Sequence, residues 1–343
     1  MNILLKPALL ILSLAIAILC FPSLANAENS TPQFSLTWLN PRGASSRGAV
    51  SINNKGQVVG TYNVGYNQNY AVLWFNGKFT DLGTFGGTTS GVGHISNKGE
   101  VVGGATFSNG HAHAFLWKNG VLTDLGTSGT DSGAASINNE TQIVGAVTYA
   151  DNSTHPALWE NGQIKDLGSL GGNYASASSI NDKGWVVGSS NTAEDPNHTH
   201  AFLRREGNMT DLGTLGGTFS GAAGVNNDGW VVGVSQTLSG DQHAFLWKNG
   251  AMQDLGTLGG NVSNAQAINN KEEIVGYSIG SDGHYHAFLW RNDTMINLAT
   301  PNEEESEAYG ISGNGKIVGN ISLYTDSLFH PVIWTPSRRG ENY

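Results

Sequence analysis

The sequence predicts an all-β fold: a closed ring of seven four-stranded antiparallel sheets. Three observations predict it. Four short phrases recur in the same order seven times, each copy reads as strands joined by tight turns, and the two ends of the chain each hold part of one copy. The first phrase ends at Ile52, Ile95, Ile137, Ile180, Val225, Ile268 and Ile311, spaced 43, 42, 43, 45, 43 and 43 residues apart. A Val-Val-Gly type run follows, ending at Gly60, Gly103, Gly145, Gly188, Gly233, Gly276 and Gly319. His-Ala-Phe-Leu-Trp or a variant then starts at Tyr70, His113, His155, His200, His243, His286 and His330. Asp-Leu-Gly closes the copy at Asp81, Asp124, Asp166, Asp211 and Asp254, decaying to Asn297-Leu298-Ala299. A fixed period of this length marks one supersecondary unit copied along the chain.

The second copy shows each element. Val92 to Ile95 is a strand, and Asn97-Lys98-Gly99 a turn. Val101-Val102-Gly103 is the second strand and His113 to Trp117 the third. Lys118-Asn119-Gly120 turns the chain into the fourth, Val121 to Leu125. Asn-Gly and Asn-x-Gly supply the positive φ angles that tight hairpins need. The middle strands are apolar on consecutive residues, so both of their faces are covered. Six or seven large apolar side chains per copy give on the order of 10–20 kcal/mol of gross burial. Backbone ordering offsets most of that. A lone copy therefore does not fold, and neighbours must cover each other.

The ends supply the closure. The chain opens on a spare fourth strand, Phe34 to Leu39, with Trp38 lying 43 residues before Asp81. It finishes on a third strand, His330 to Trp334, with no fourth. An early strand that completes the last sheet makes a seven-bladed β-propeller over residues 34–336. The first strand, rich in small residues such as Ala134-Ala135-Ser136 and Gly221-Ala222-Ala223-Gly224, is expected nearest the axis.

Residues 1–27 read as a cleaved secretory signal. Lys6 precedes an apolar run from Ala8 to Leu19, and Ala25-Asn26-Ala27 is a small-x-small site. Residues 28–33 are a leader and 337–343 a tail. The apolar run is short for a membrane span. Cys20 is the only cysteine, so the mature chain has no disulfide. Without Lys6 the net charge is about −11, which disfavours nucleic acid and anionic membrane. An exported monomer is expected.

The residues that suggest chemistry mostly repeat. His113, His155, His200, His243, His286 and His330 recur once per copy, as Asp81, Asp124, Asp166, Asp211 and Asp254 do. That is how a structural network behaves, with the acids, threonines or backbone as partners. His-x-His stands at His111/His113, His198/His200 and His284/His286, in copies that are not neighbours. Catalytic zinc wants three protein ligands, so no metal is expected. His94 is distinct: other copies carry Ser, Gly or Ala there. With Glu194 and Asp195 of the longest loop it forms the weak catalytic set. The Gly-rich Asp-Leu-Gly-Thr-Leu-Gly-Gly stretch is followed by strands, whereas a phosphate loop needs a helix. No cofactor is expected.

Variation concentrates between the second and third strands. Aromatic, amide and acidic side chains there suit a sugar or protein surface. The candidate ligand contacts are Tyr62, Tyr66, Phe107, Tyr149, His198, Asp241, Tyr285 and Tyr324.

His113-Ala114-Phe115, His200-Ala201-Phe202, His243-Ala244-Phe245 and His286-Ala287-Phe288, flanked by Asn-Gly and Asp-Leu-Gly, resemble the HAF-repeat family of bacterial extracellular proteins. Arg204 departs where the pattern has Trp. The resemblance covers nearly all of the mature chain. It implies export, and brings no assigned catalytic residues. The expected function is a binding or adhesion module for a protein or glycan. A glycan-active hydrolase or lyase on the same face is the alternative, and a purely structural envelope repeat is a third reading.

Overall fold

The computed structural model describes residues 34–39, 45–65, 68–195, 197–300, 303–325 and 328–337, and these described residues form twenty-eight strands and no helix. The expectations for residues 1–27 and 28–33, for Tyr66, and for all but the first residue of 337–343 lie outside the described residues. The strands group by fours into seven units. In unit 2, Gly86–Ile95, Val101–Phe107, Ala112–Lys118 and Val121–Asp124 pair antiparallel in chain order. The first strand is longer than its apolar residues suggest, because the Gly-Gly pair opens the strand instead of ending the loop before it. Asn119 and Gly120 turn the outer hairpin with φ of 52° and 86°.

The Val-Val-Gly run has a steric cause. Every first strand slips register by one residue near its end, at Val92/His94 in unit 2. Such a bulge brings its carbonyl over the neighbouring strand. A Cβ added to Gly103 would sit 2.0 Å from the Gly91 carbonyl oxygen, and one at Gly233 would sit 2.0 Å from that of Gly221. Only glycine admits this approach.

Apolar clusters fill the spaces between consecutive units. Val59, Ala71, Leu73 and Leu82 of unit 1 pack on Ile95, Val101 and Phe115 of unit 2. Phe115, Phe202, Phe245 and Phe288, the third-phrase phenylalanines, are fully buried. Hydrogen bonds cross the same spaces. The Ser263 hydroxyl accepts from the Ala244 N–H of the preceding unit at 2.8 Å and donates to the Gly256 carbonyl at 2.5 Å. Single parallel bridges, Thr154 to Tyr174, Thr199 to Phe219 and Gln242 to Val262, fuse units 3–6 into one 16-stranded sheet.

The last unit is assembled from both ends of the chain. Its order is Phe34–Trp38, Phe329–Pro336, Ile317–Leu323, Glu303–Ile311. Phe34 pairs with Pro336 and Trp38 with Val332. Units 7 and 1 also touch. Val318 packs among Ala49, Ile52, Val58, Val72 and Trp74. The Asn320 Oδ1 accepts from the Ala49 N–H at 3.1 Å.

Candidate functional site

Each unit has two ends. At one, tight turns join its first strand to its second and its third to its fourth. At the other lie the second-to-third-strand loops and the connections to the next unit.

Residues at the turn ends of the units line a cavity of about 410 Å3. Its rim is built by side chains that reach from unit to unit. The backbone N–H groups of Asn54, Asn97, Asn139, Asp182 and Asn227 donate to the Oδ1 of Asn97, Asn139, Asp182, Asn227 and Asn270, at 2.9, 3.2, 3.0, 3.1 and 2.9 Å. A separate bond joins unit 7 to unit 1, with the Gly313 N–H donating to the Asn54 Oδ1 at 2.7 Å. Beneath them, the buried amides of Asn53, Asn138 and Asn181 donate to the carbonyls of Ser96, Asn181 and Asn226.

His94 lines this cavity, with Nδ1 3.2 Å from the Ile137 carbonyl oxygen. Burial pushes its pKa below 6.5, with that carbonyl and the Asp182 charge working against the shift. Among the described residues Asp182 is the carboxylate on the rim. Burial opposes its ionisation, but donors from Asn139 and Asn227 outweigh it and hold its pKa low. Glu194 and Asp195 lie between Val186–Thr192 and Thr199–Arg205, at the loop end of unit 4. His94 stands beside the turn end of unit 2, so the weak catalytic set does not assemble.

At the loop end the repeated histidines meet the repeated acids. His113, His155, His200 and His243 hold Asp124, Asp166, Asp211 and Asp254 at 3.0, 2.7, 2.8 and 2.8 Å through Nδ1. These rings are a fifth to a third exposed, so the pairs are superficial, not core contacts. The same acids close the turn behind them: Asp254 Oδ1 accepts from the Gly256 N–H at 2.7 Å. Three units depart from the pattern and are repaired. In unit 1 the Tyr62 hydroxyl replaces the missing histidine on Asp81 at 3.0 Å, and burial followed by that hydrogen bond pushes Tyr62 up to about 12. In unit 7 Trp38 stands at the acid's place and meets His330 edge-on at 5.7 Å. In unit 6, where Asn297 replaces the acid, His286 turns to Asp282, with Nε2 2.8 Å from its carboxylate.

The His-x-His rings are engaged by protein side chains. His111 takes Asp131 while His113 takes Asp124, and the His198 ring stacks on that of His200. Among the candidate ligand contacts, Phe107 stacks on Phe85 and Tyr149 packs edge-on against His155. Tyr285 packs on Tyr277, and Asp241 is tied to Ser239. Tyr324 is 64% exposed.

Sequence reading missed a group in units 6 and 7. Glu307 occupies a first-strand position held by Gly48, Gly91, Gly133, Ser176 and Gly221 in other units. It accepts from the Tyr309 hydroxyl, and Tyr309 lies edge-on to Tyr277. Burial raises the pKa of Glu307, and burial plus Glu307 raises that of Tyr309. The signal for it was this break in a run of small residues.

No family model and no curated protein matches the sequence. The fold is similar to that of solved structures. The β-propeller domain of the Trilobed protease from Pyrococcus furiosus, described as having an open velcro topology, aligns with a TM-score of 0.60 at 10% identity, covering 86% of this chain and 96% of that one. A puromycin-hydrolyzing peptidase of Mycobacterium tuberculosis aligns with a TM-score of 0.57 at 11% identity, covering 86% and 52%. The acylaminoacyl peptidase of Pyrococcus horikoshii gives 0.55 at 12%, covering 85% and 51%. This chain spans about half the length of those two peptidases. At such identities the likeness shows the β-propeller fold alone.

Proposed function

We propose that the chain is a closed seven-bladed β-propeller, exported by its first 27 residues, that acts as a HAF-repeat binding module through its loop face. Closure is supported by the pairing of Phe34–Trp38 with Phe329–Pro336 and by the bond from Gly313 to Asn54. One observation carries the binding reading. Among the described residues the exposed large apolar side chains gather at the loop end: Trp38, Tyr174, Leu238, Tyr324, Leu328 and Phe329, with Val121 the exception beside a turn. Loops on a rigid scaffold are where recognition is built. The candidate acids and bases, by contrast, stand at opposite ends.

A screen of the purified mature protein against glycan and protein arrays tests this. Binding retained in a variant lacking His94, Glu194 and Asp195 is the expected result. Turnover of a polysaccharide that the same substitutions abolish would establish the hydrolase or lyase reading in its place.

A further inference from the structure

Lysine and arginine are kept out of the loops of one end, whereas acids stand at both. Among the described residues, none of the lysines and arginines lies in a second-to-third-strand loop or in a connection between units (Arg42 lies outside them). They stand in or beside the tight turns, as Lys55, Lys98, Lys183 and Lys248 do, or on strands, as Lys165 does on an outer strand and Arg47 on the first strand of unit 1. The loop end carries the Asp-Leu-Gly acids and, beyond them, Asp131, Asp151, Glu194, Asp241, Asp282 and Glu304. Nine of the ten histidines also lie there, His94 excepted.

A second observation is independent of that count. Glu303, at the loop end of unit 7, is 6% exposed, and its partners are the hydroxyls of Ser306 at 2.7 Å and Thr300 at 2.8 Å. A buried carboxylate calls for a cation. The nearest basic atom is Nδ1 of His286, 3.9 Å from Glu303 Oε1. That nitrogen is buried and has no hydrogen-bond partner, while Nε2 of the same ring is taken by Asp282. Nδ1 and the Glu303 carboxylate thus face each other with no hydrogen bond between them, and the half-exposed Asp282 stands above them. A partner's cationic N–H at this end would meet both carboxylates.

We propose that the loop face takes a basic protein segment with interspersed apolar residues, entering over units 6 and 7. This rests on the binding reading above and adds the partner's chemistry. The acidic field selects lysine or arginine. Leu238 is 87% exposed, with Tyr324 and Phe329 also open, and the aliphatic leucine suits protein side chains better than sugar rings.

The test uses the full mature chain and two synthetic peptides of equal length, one alternating lysine with leucine and one alternating glutamate with leucine. The lysine peptide is expected to bind, with at least about tenfold preference over the glutamate peptide at low salt. Added salt should weaken it. The exchange Glu304→Lys with Asp282→Lys should cost about tenfold or more, while Glu206→Lys at the turn end should not. Salt dependence on the wild type keeps the test valid if the double variant does not fold. Equal binding of both peptides, or lysine-peptide binding insensitive to salt and to the loop-end exchange, overturns the proposal. Failure of both peptides with retained binding to a neutral glycan on the loop face overturns the proposal and leaves the binding reading intact. Loss of binding to every probe overturns both.

Discussion

Asn181 tests whether the units are joined by designed polar contacts or only by apolar packing. The residue is 5% exposed. Its Oδ1 accepts from the N–H of Lys183 at 3.0 Å and of Trp185 at 2.9 Å, which forms the turn. Its Nδ2 donates to the Asn226 carbonyl of the next unit at 2.8 Å. Asn181→Ala strands two N–H groups and one carbonyl. Water reaches the turn amides in part, so the sum of these losses is about 2–4 kcal/mol. Unit 2 shows how to separate the two roles. Ser96 stands at the same position, and its hydroxyl accepts from the N–H of Lys98 and Glu100, both at 3.3 Å. Asn181→Ser therefore keeps the turn and loses only the bond between units, at about 1 kcal/mol. Urea unfolding followed by tryptophan fluorescence reads the difference. With a slope of about 3 kcal/mol/M, the midpoint falls by about 1 M for alanine and about 0.3 M for serine. Coincident curves for the two variants would refute the division of roles. Two unshifted midpoints would refute the contribution of the polar ladder altogether.

Other substitutions probe other parts of the fold. Gly233→Ala places a Cβ 2.0 Å from the Gly221 carbonyl and should cost more than about 4 kcal/mol, seen as loss of soluble folded protein. Gly91→Ala, with nothing within 4 Å of its Cβ, should be tolerated. Asp254→Asn keeps the turn acceptor, as Asn297 does for the Ala299 N–H at 2.7 Å, and should cost under about 1 kcal/mol because the pair with His243 is partly exposed. Asp254→Ala also loses the Gly256 contact and should lower the melting temperature further. His94 has a native pKa below its unfolded value of 6.5. As pH falls through that value the unfolded chain binds a proton that the native state resists, so stability drops. His94→Ser should gain stability relative to wild type as pH falls through about 6.5, and a pH-independent difference in urea midpoint would contradict the cause.

The strands were legible because their determinants are local and copied seven times: the turn glycines, the consecutive apolar residues, and a third strand lacking its fourth. The pairing of histidine with aspartate was legible as a coincidence of positions. The exchange of partner by His286 was foreshadowed by Asn297. The ladder at the turn ends was not legible. Asn97 and its equivalents read as ordinary turn residues, but Gly99 takes the positive φ and the asparagine side chains accept from the preceding unit. Glu303 was equally hidden, because an acid in a run of acids reads as solvated surface until its burial is known.

Joining of the two ends of the chain is the central claim, and a disulfide across that seam tests it most directly. Ser35 and Thr335 face each other across Phe34–Trp38 and Phe329–Pro336. In the mature protein, Ser35→Cys with Thr335→Cys should oxidise within one molecule and give a monomer of altered mobility on a non-reducing gel. Free thiols after oxidation, or dimers linked between chains, would contradict the closed ring.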